Sequence, residues 1–249
     1  MKIKNLRYVS SVISLIFKEI ESKVVVGCSG KKLEEISLNL MKKYKVKSSA
    51  FKYGGFPSHI CVSINAELTH GIPKLIPFKE GDIVSVDISC NYHGVHSDAA
   101  RTYLVFDENK KTKENFTDKL MLIEAAREAL NKAIVSIIPG KTTNKDLGLI
   151  IQNSVEEKGF FTIKEYGGHG IGNNLHEDPF IPNYKNMNDI PEVVIKPGMA
   201  ICIEPLVQVG NDETVVSKDG FTVISKNGEL NTHFEHTILI KSNEVEILV

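Results

Sequence analysis

A chain of 249 residues, 42% of them hydrophobic, is long enough to bury a full core, as one large domain or two small ones. Its 30 lysines and arginines against 31 aspartates and glutamates leave a formal net charge of -1, so the bulk balance gives no pull toward nucleic acid or an anionic membrane. The four cysteines, Cys28, Cys61, Cys90 and Cys202, are widely spread with no C-x-x-C pair, which argues for reduced cytosolic thiols and against structural zinc or thiol exchange.

Lys2, Lys4 and Arg7 precede the apolar stretch from Tyr8 to Phe17, which imitates a short signal peptide. Charged Lys18, Glu19, Glu21 and Lys23 stand where a small-residue cleavage site belongs, and Val9, Val12, Ile13, Leu15, Ile16 and Ile20 recur at helical spacing. The stretch therefore predicts an amphipathic helix, from about Leu6 to Glu21. A second helix follows from about Lys31 to Tyr44, after a turn at Gly27 to Gly30. Ile60 to Ile64, Ile83 to Ile88 and Thr102 to Phe106 are β-branched or aromatic runs that predict short strands. The charged stretch from Asp107 to Lys119 reads as a solvated loop. Helices are predicted again from Thr117 to Ile137, stopped by Pro139-Gly140, and from Asn144 to Lys158, stopped by Gly159. The clearest later strands are Ala200 to Val209, Phe221 to Ser225 and Phe234 to Ile240. Helices followed by strands, twice over, predict an α+β fold of two similar halves. No run of about 18 apolar residues predicts a membrane span.

The informative residues are acids inside apolar strands: Asp87 in Ile83 to Ile88, Glu204 in Ile201 to Leu206, and Glu235 just before His236 to Ile240. An unpaired buried carboxylate is very costly, so each needs a cation or a dense hydrogen-bond shell. Asp98 joins them if Asn91 to Gly94 makes a hairpin. A two-residue turn at Tyr92-His93 or His93-Gly94 puts Asp87 and Asp98 on one face, directly opposite or diagonal, with β-carbons roughly 5 to 8 Å apart. Like charges so placed destabilise a sheet unless something positive lies between them. Arg101 is the only basic residue from Ile83 to Tyr103, and one guanidinium cannot neutralise the set. Two divalent cations can neutralise four carboxylates, and carboxylates bridge such pairs in two-metal hydrolases.

Of the eight histidines, His59, His93, His96, His233 and His236 have contexts that read as surface or supporting. His169 lies within a glycine-rich run, Gly167-Gly168-His169-Gly170-Ile171-Gly172, and His176 follows shortly after it; the glycines oppose a helix and predict extended or looped backbone. Glycine there permits close approach of the backbone to something. Phosphate is a weak candidate, because the run is not G-x-G-x-x-G and Pro179 stands where an anion-binding helix would continue. H-E-x-x-H is absent too, since His176-Glu177 has no second histidine in register.

Asp87 and Asp98 eleven positions apart, Gly-His-Gly-Ile-Gly around His169, Ile203-Glu204-Pro205 and Phe234-Glu235-His236-Thr237 together resemble the metal-site signature of methionine aminopeptidases of the bacterial type. Asn65 to Pro73, ending Thr69-His70-Gly71-Ile72-Pro73, resembles the same family's segment with a further catalytic histidine. The resemblance runs from about Ile3 to the end. It implies a pita-bread fold: a curved antiparallel sheet of two related αβ halves with helices outside, 1–249 forming a single catalytic domain. It implies two divalent ions (manganese, iron, cobalt or zinc) held by Asp87, Asp98, His169, Glu204 and Glu235, with Asp98 and Glu235 bridging. His70, His176 and Glu204 would be catalytic, and Tyr53, Phe56, Cys61, His70, Leu175, His176 and Phe221 would bind the substrate. The sequence departs from common family residues at Ala50, Leu175 and Phe221, all apolar, which keeps a methionine pocket but changes its shape.

The activity implied is removal of the initiator methionine when the next residue is small, by a cytoplasmic monomer acting on N-terminal Met peptides and nascent chains, with the ribosome as a candidate contact. Neither nucleic-acid specificity nor a membrane role is expected. Two rivals remain: a proline-specific peptidase of the same fold, which usually carries a separate N-terminal domain, and a metal-free binding module, which would be free to lose ligands.

Overall fold

The computed structural model describes residues 2–106, 116–185 and 189–249. The first half opens with α1 (Ile3–Glu21) and α2 (Gly30–Lys43), passes through β1 (Lys47–Ser48), β2 (Cys61–Ile64) and β3 (Glu67–Thr69), and ends in the long hairpin β4 (Ile83–Tyr92) and β5 (Val95–Leu104). The second half opens with α3 (Thr117–Val135) and α4 (Asn144–Glu156), then runs through β6 (Phe161–Thr162), β7 (Gly168–Gly170) and β8 (Glu177–Ile181). It closes with β9 (Ala200–Ile203), β10 (Leu206–Gln208), β11 (Thr214–Val216), β12 (Val223–Ser225), β13 (Asn231–His233), β14 (Glu235–Ile240) and β15 (Val245–Ile247).

The helices form for the reasons their sequences state. Leu6, Val9, Ile13, Ile16, Phe17 and Ile20 make the buried stripe of α1, which begins three residues earlier than its periodicity predicts. The Ser29 side chain accepts from the Lys32 N–H at the start of α2, and Thr143 with Asp146 forms a capping box on α4. Among the described residues no helix is long and apolar enough to cross a membrane.

A curled antiparallel sheet in the order β1-β4-β5-β14-β9-β7-β8 joins the halves, with β2 added to β4 and β15 to β14. This is the α+β, two-half architecture expected. Alternation along β4 decides which side is which. Val84, Val86, Ile88 and Cys90 pack with α1 and α2 in the first core, while α3 and α4 pack with Ile201, Ile203 and Ile238 in a second. Ser85, Asp87 and Ser89 therefore point to the opposite, helix-free face.

Three expectations need correction. Ala200 to Val209 is two strands, broken at Glu204-Pro205, because proline has no N–H for the ladder. β10 leaves the main sheet to pair with β13 and β6. The strand placed at Thr102 to Phe106 starts at Val95, since the hairpin extends it backward. In the segment read as a loop from Asp107 to Lys119, residues 107–115 lie outside those described, and Thr117 to Lys119 form the first turn of α3.

Candidate active site

The β4–β5 register pairs Asp87 with Ala100 and Ser89 with Asp98, so the two aspartates are diagonal neighbours on one face. The turn is His93-Gly94, with φ of 49° and 75°, both positive as a two-residue type I′ turn requires. On the other side of β5, Glu235 pairs with the same Ala100. Three strands thus bring Asp87, Asp98 and Glu235 together, each offering an oxygen within 4.8 Å of the others. Thr237 fixes the backbone here: its Oγ1 accepts from the Asp98 N–H at 3.0 Å and donates to the Asp98 carbonyl at 2.7 Å.

Arg101 does not serve this cluster; its guanidinium stacks over the Phe17 ring at 4.6 Å on the helix side. Among the described residues no lysine or arginine forms an ion pair with Asp87, Asp98, Glu204 or Glu235, whose basic neighbours are histidines. Asp98 Oδ1 and Glu235 Oε1 are buried without a hydrogen-bond partner. Burial, and then the charges of neighbouring carboxylates, push the carboxyls of Asp98, Glu204 and Glu235 well above the ordinary range. Orphaned anionic oxygens converging without a basic side chain are the donor set that a divalent cation fits.

His169 lies on β7, between β8 and β9. A side chain at Gly168 would put its Cβ 2.1 Å from the Cys202 carbonyl oxygen, and one at Gly170 would meet that of Asp178 at 2.2 Å. The close approach that the glycines permit is thus to neighbouring strands. The His169 Nδ1–H donates to the Gly170 carbonyl at 2.9 Å, leaving Nε2 with a free lone pair 3.7 Å from Glu235 Oε1. Burial, aided by His176, lowers its pKa to about 4, so the ring is neutral and ready to ligate. The His176 ring lies edge-on to His169, centroids 4.4 Å apart, and its Nδ1 is 2.9 Å from Tyr53 Oη.

Two cavities meet at the acids. One of about 580 Å³ is lined by His70, Asp87, Asp98, His169, His176, Glu204 and Glu235, together with Glu165, Tyr166 and Phe180. The other, about 210 Å³, is lined by Ala50, Tyr53, Phe56, Cys61, His70, Leu175, His176 and Phe221, with Asp87, Ser89 and Asp98 on its inner side. The sequence-predicted metal and catalytic residues are therefore in one place, and the seven predicted substrate residues line one wall system. Ser89 and Tyr166 were not anticipated; Ser89 was legible in principle, as the residue that alternates with Asp87 along β4.

Of the histidines read as surface or supporting, His59 stacks on Phe51, His93 sits in the hairpin turn, and His96 engages Ser49 and Asn91. His236 faces the helix side with Arg101. His233 differs from a surface residue: it is fully buried, with Nε2 2.7 Å from Glu204 Oε1. Cys202 joins His169 and Glu235 in a further close group of donor atoms. Cys202 was legible in the same way as Ser89, as the residue that alternates with Glu204, whereas His233 was not, because β10 and β13 pair only beyond the break at Pro205.

A pocket that ends in clustered acids and a neutral imidazole defines a metal-dependent hydrolase site. Residues 4–242 match the model of metallopeptidase family M24. Methionine aminopeptidase 1 of Bacillus subtilis is 37% identical over 246 residues, covering 98% of this chain and 94% of the relative. The crystal structure of a methionine aminopeptidase from Thermotoga maritima superposes with a TM-score of 0.89 at 40% identity, covering 99% and 96% of the two chains. An Xaa-Pro dipeptidase from Bacillus anthracis shares the fold at a TM-score of 0.72 and 25% identity, but only 60% of its chain is matched. The chain belongs to metallopeptidase family M24 and is a hydrolase dependent on divalent metal.

Proposed function

We propose that this enzyme removes methionine from the N-terminus of peptides and nascent proteins, using two divalent ions held by Asp87, Asp98, His169, Glu204 and Glu235. The observation that carries the reading is the small apolar cavity closing directly onto the acidic cluster. An unbranched thioether suits walls of Tyr53, Phe56, Cys61 and Phe221, where sulfur-to-aromatic contacts contribute roughly 0.3 to 1.5 kcal/mol each. Full-length similarity to methionine aminopeptidases supports the same substrate.

Bound at these carboxylates, the ions supply acidification of the attacking water and polarisation of the scissile carbonyl. The chain's residues do the rest. Glu204, which lines the cavity beside the clustered acids, accepts the proton of the attacking water and passes it to the leaving nitrogen. Tyr53 Oη lies 2.9 Å from His176 Nδ1; with the hydroxyl as donor, the neutral ring carries its proton on Nε2, and that N–H stabilises the developing oxyanion. A free α-amine keeps a lone pair for the ion that Asp87 would hold, so blocked N-termini are poor substrates. Residues 1–249 act as one catalytic domain, monomeric and cytoplasmic, meeting nascent chains at the ribosome. Which of manganese, iron, cobalt or zinc serves in the cell follows supply as much as affinity.

The test is a peptide panel with the metal-loaded enzyme. Met-Gly-type and Met-Ala-type peptides should be cleaved, Met-Lys-type peptides poorly, and N-formylated peptides not at all. Faster release of Ala from Ala-Pro-type peptides than of Met from Met-Ala-type peptides would transfer the assignment to a proline-specific activity.

A further inference from the structure

We propose that His233 is a sixth protein ligand of the metal centre, binding through Nε2 the ion that Glu204 holds. The inference rests on the dinuclear reading above and extends its ligand set with a residue that the family resemblance does not supply.

Position is the first argument. His233 ends β13 directly opposite Leu206, just beyond the Glu204-Pro205 break, which is why a residue 29 positions from Glu204 meets it. Its backbone is clamped: its N–H donates to Thr102 Oγ1 at 3.0 Å, and that hydroxyl donates to the His233 carbonyl at 2.7 Å. Ser85 Oγ braces Thr102 from behind at 2.8 Å. A buried ring on a pinned backbone keeps one direction.

The contact with Glu204 is the second argument. At 2.7 Å from Glu204 Oε1, Nε2 is near enough for a strong hydrogen bond, yet it has no hydrogen-bond partner. A contact this short that is not a hydrogen bond implies an oxygen off the ring's N–H axis. A residue whose task is to donate to Glu204 would aim its N–H at the carboxylate. Two donor atoms side by side, both facing the same space, are how ligands of one cation stand. With bonds of about 2.0 to 2.1 Å, donors at right angles about an ion are separated by about 2.9 Å, close to the distance seen. Glu204, His233 and Glu235 each place one such atom within 4.8 Å of the others, and Glu235 Oε1 is likewise without a partner.

The consequence is chemical. A centre with one imidazole and four carboxylates accepts manganese comfortably, whereas a second imidazole shifts preference toward iron, cobalt and zinc. The affinity order of this chain should therefore be steeper than an oxygen-rich site would give.

The experiment uses the full chain, stripped of metal, with histidine side chains carrying an NMR-active nitrogen isotope, and reloaded with an NMR-active isotope of cadmium. Scalar coupling between cadmium and nitrogen passes only through a direct bond. The expected result is two coupled imidazoles, one lost in His169→Asn and the other in His233→Gln. His233→Gln should also weaken cobalt binding, measured calorimetrically, by about 10- to 100-fold or more, the scale for disturbing the shell of a metal site. A single coupled imidazole in the wild type, assigned to His169, overturns the proposal and leaves the dinuclear centre standing. Failure to take up metal, or uptake unchanged in Asp98→Asn, overturns the dinuclear reading and this inference together. The wild-type count does not depend on any variant folding.

Discussion

Asp98→Asn should stabilise the metal-free protein while destroying its metal centre. In the absence of metal, Asp98 shares its face with Asp87 and Glu235, one oxygen of each within 4.8 Å of the others. Each charged pair at that separation costs about 3 kcal/mol at an effective dielectric of about 20, and proton uptake relieves part of it. An amide has the carboxylate's shape, removes the charge and gains an N–H that can donate to Asp87. The backbone at Asp98 is held by Thr237, so the substitution breaks no main-chain bond. A net gain of about 1 to 3 kcal/mol, at about 2–4 °C per kcal/mol for a chain of this size, raises the metal-free Tm by about 2 to 12 °C. With saturating metal the order inverts, because only the wild type gains the binding free energy of both ions. Thermal melts followed by circular dichroism, with and without chelator, give both comparisons. A metal-free variant that melts at or below the wild-type temperature would refute the claim that these carboxylates repel one another.

The pH dependence of metal-free stability follows from the same groups. Carboxyls raised in the folded state stabilise it where they are protonated, and that stability is lost as the pH climbs through their raised values. His169 and His236, lowered from 6.5 to about 4, act oppositely, adding stability as the pH rises from about 4 and completing it near 6.5. Above about pH 6.5 the histidine contribution is complete, so any remaining pH dependence that these groups give the metal-free Tm comes from the carboxyls and is downward, while the loaded protein stays level; a metal-free Tm still climbing there would count against the assignment. His176→Ala should retain metal, measured by elemental analysis, and lose turnover by roughly 100-fold or more, the scale of an oxyanion donor. Loss of the metal instead would make His176 a ligand.

The parts of the fold legible in the sequence were those with a sustained period. The stripe of α1, the turn before α2 and the stops of α3 and α4 left little choice of element. Asp87 and Asp98 could be set on one face because a two-residue turn fixes register, and the structure adopts the diagonal form of the two allowed. The strands that escaped notice, β1, β3, β6, β8, β11, β13 and β15, have two to five residues, too few for alternation to declare itself. Their pairing is decided by neighbours far away in the chain.

His233 escaped for a more specific reason, and it bears on how the site is built. Periodicity along Ala200 to Val209 predicts one strand, and Phe234 to Ile240 predicts another; each is correct only up to a break. The chain leaves the main sheet at Pro205, whose carbonyl accepts from the Phe234 N–H at 3.3 Å where the partner strand leaves it too. β9 and β14 remain paired on the metal side of this point, while β10 and β13 pair beyond it. Glu204 and His233 are the residues at the corner, one from each strand. A continuous ladder would have kept alternate side chains on opposite faces. The paired breaks release the corner residues from that alternation, and so a buried imidazole can meet the carboxylates that the hairpin had already gathered.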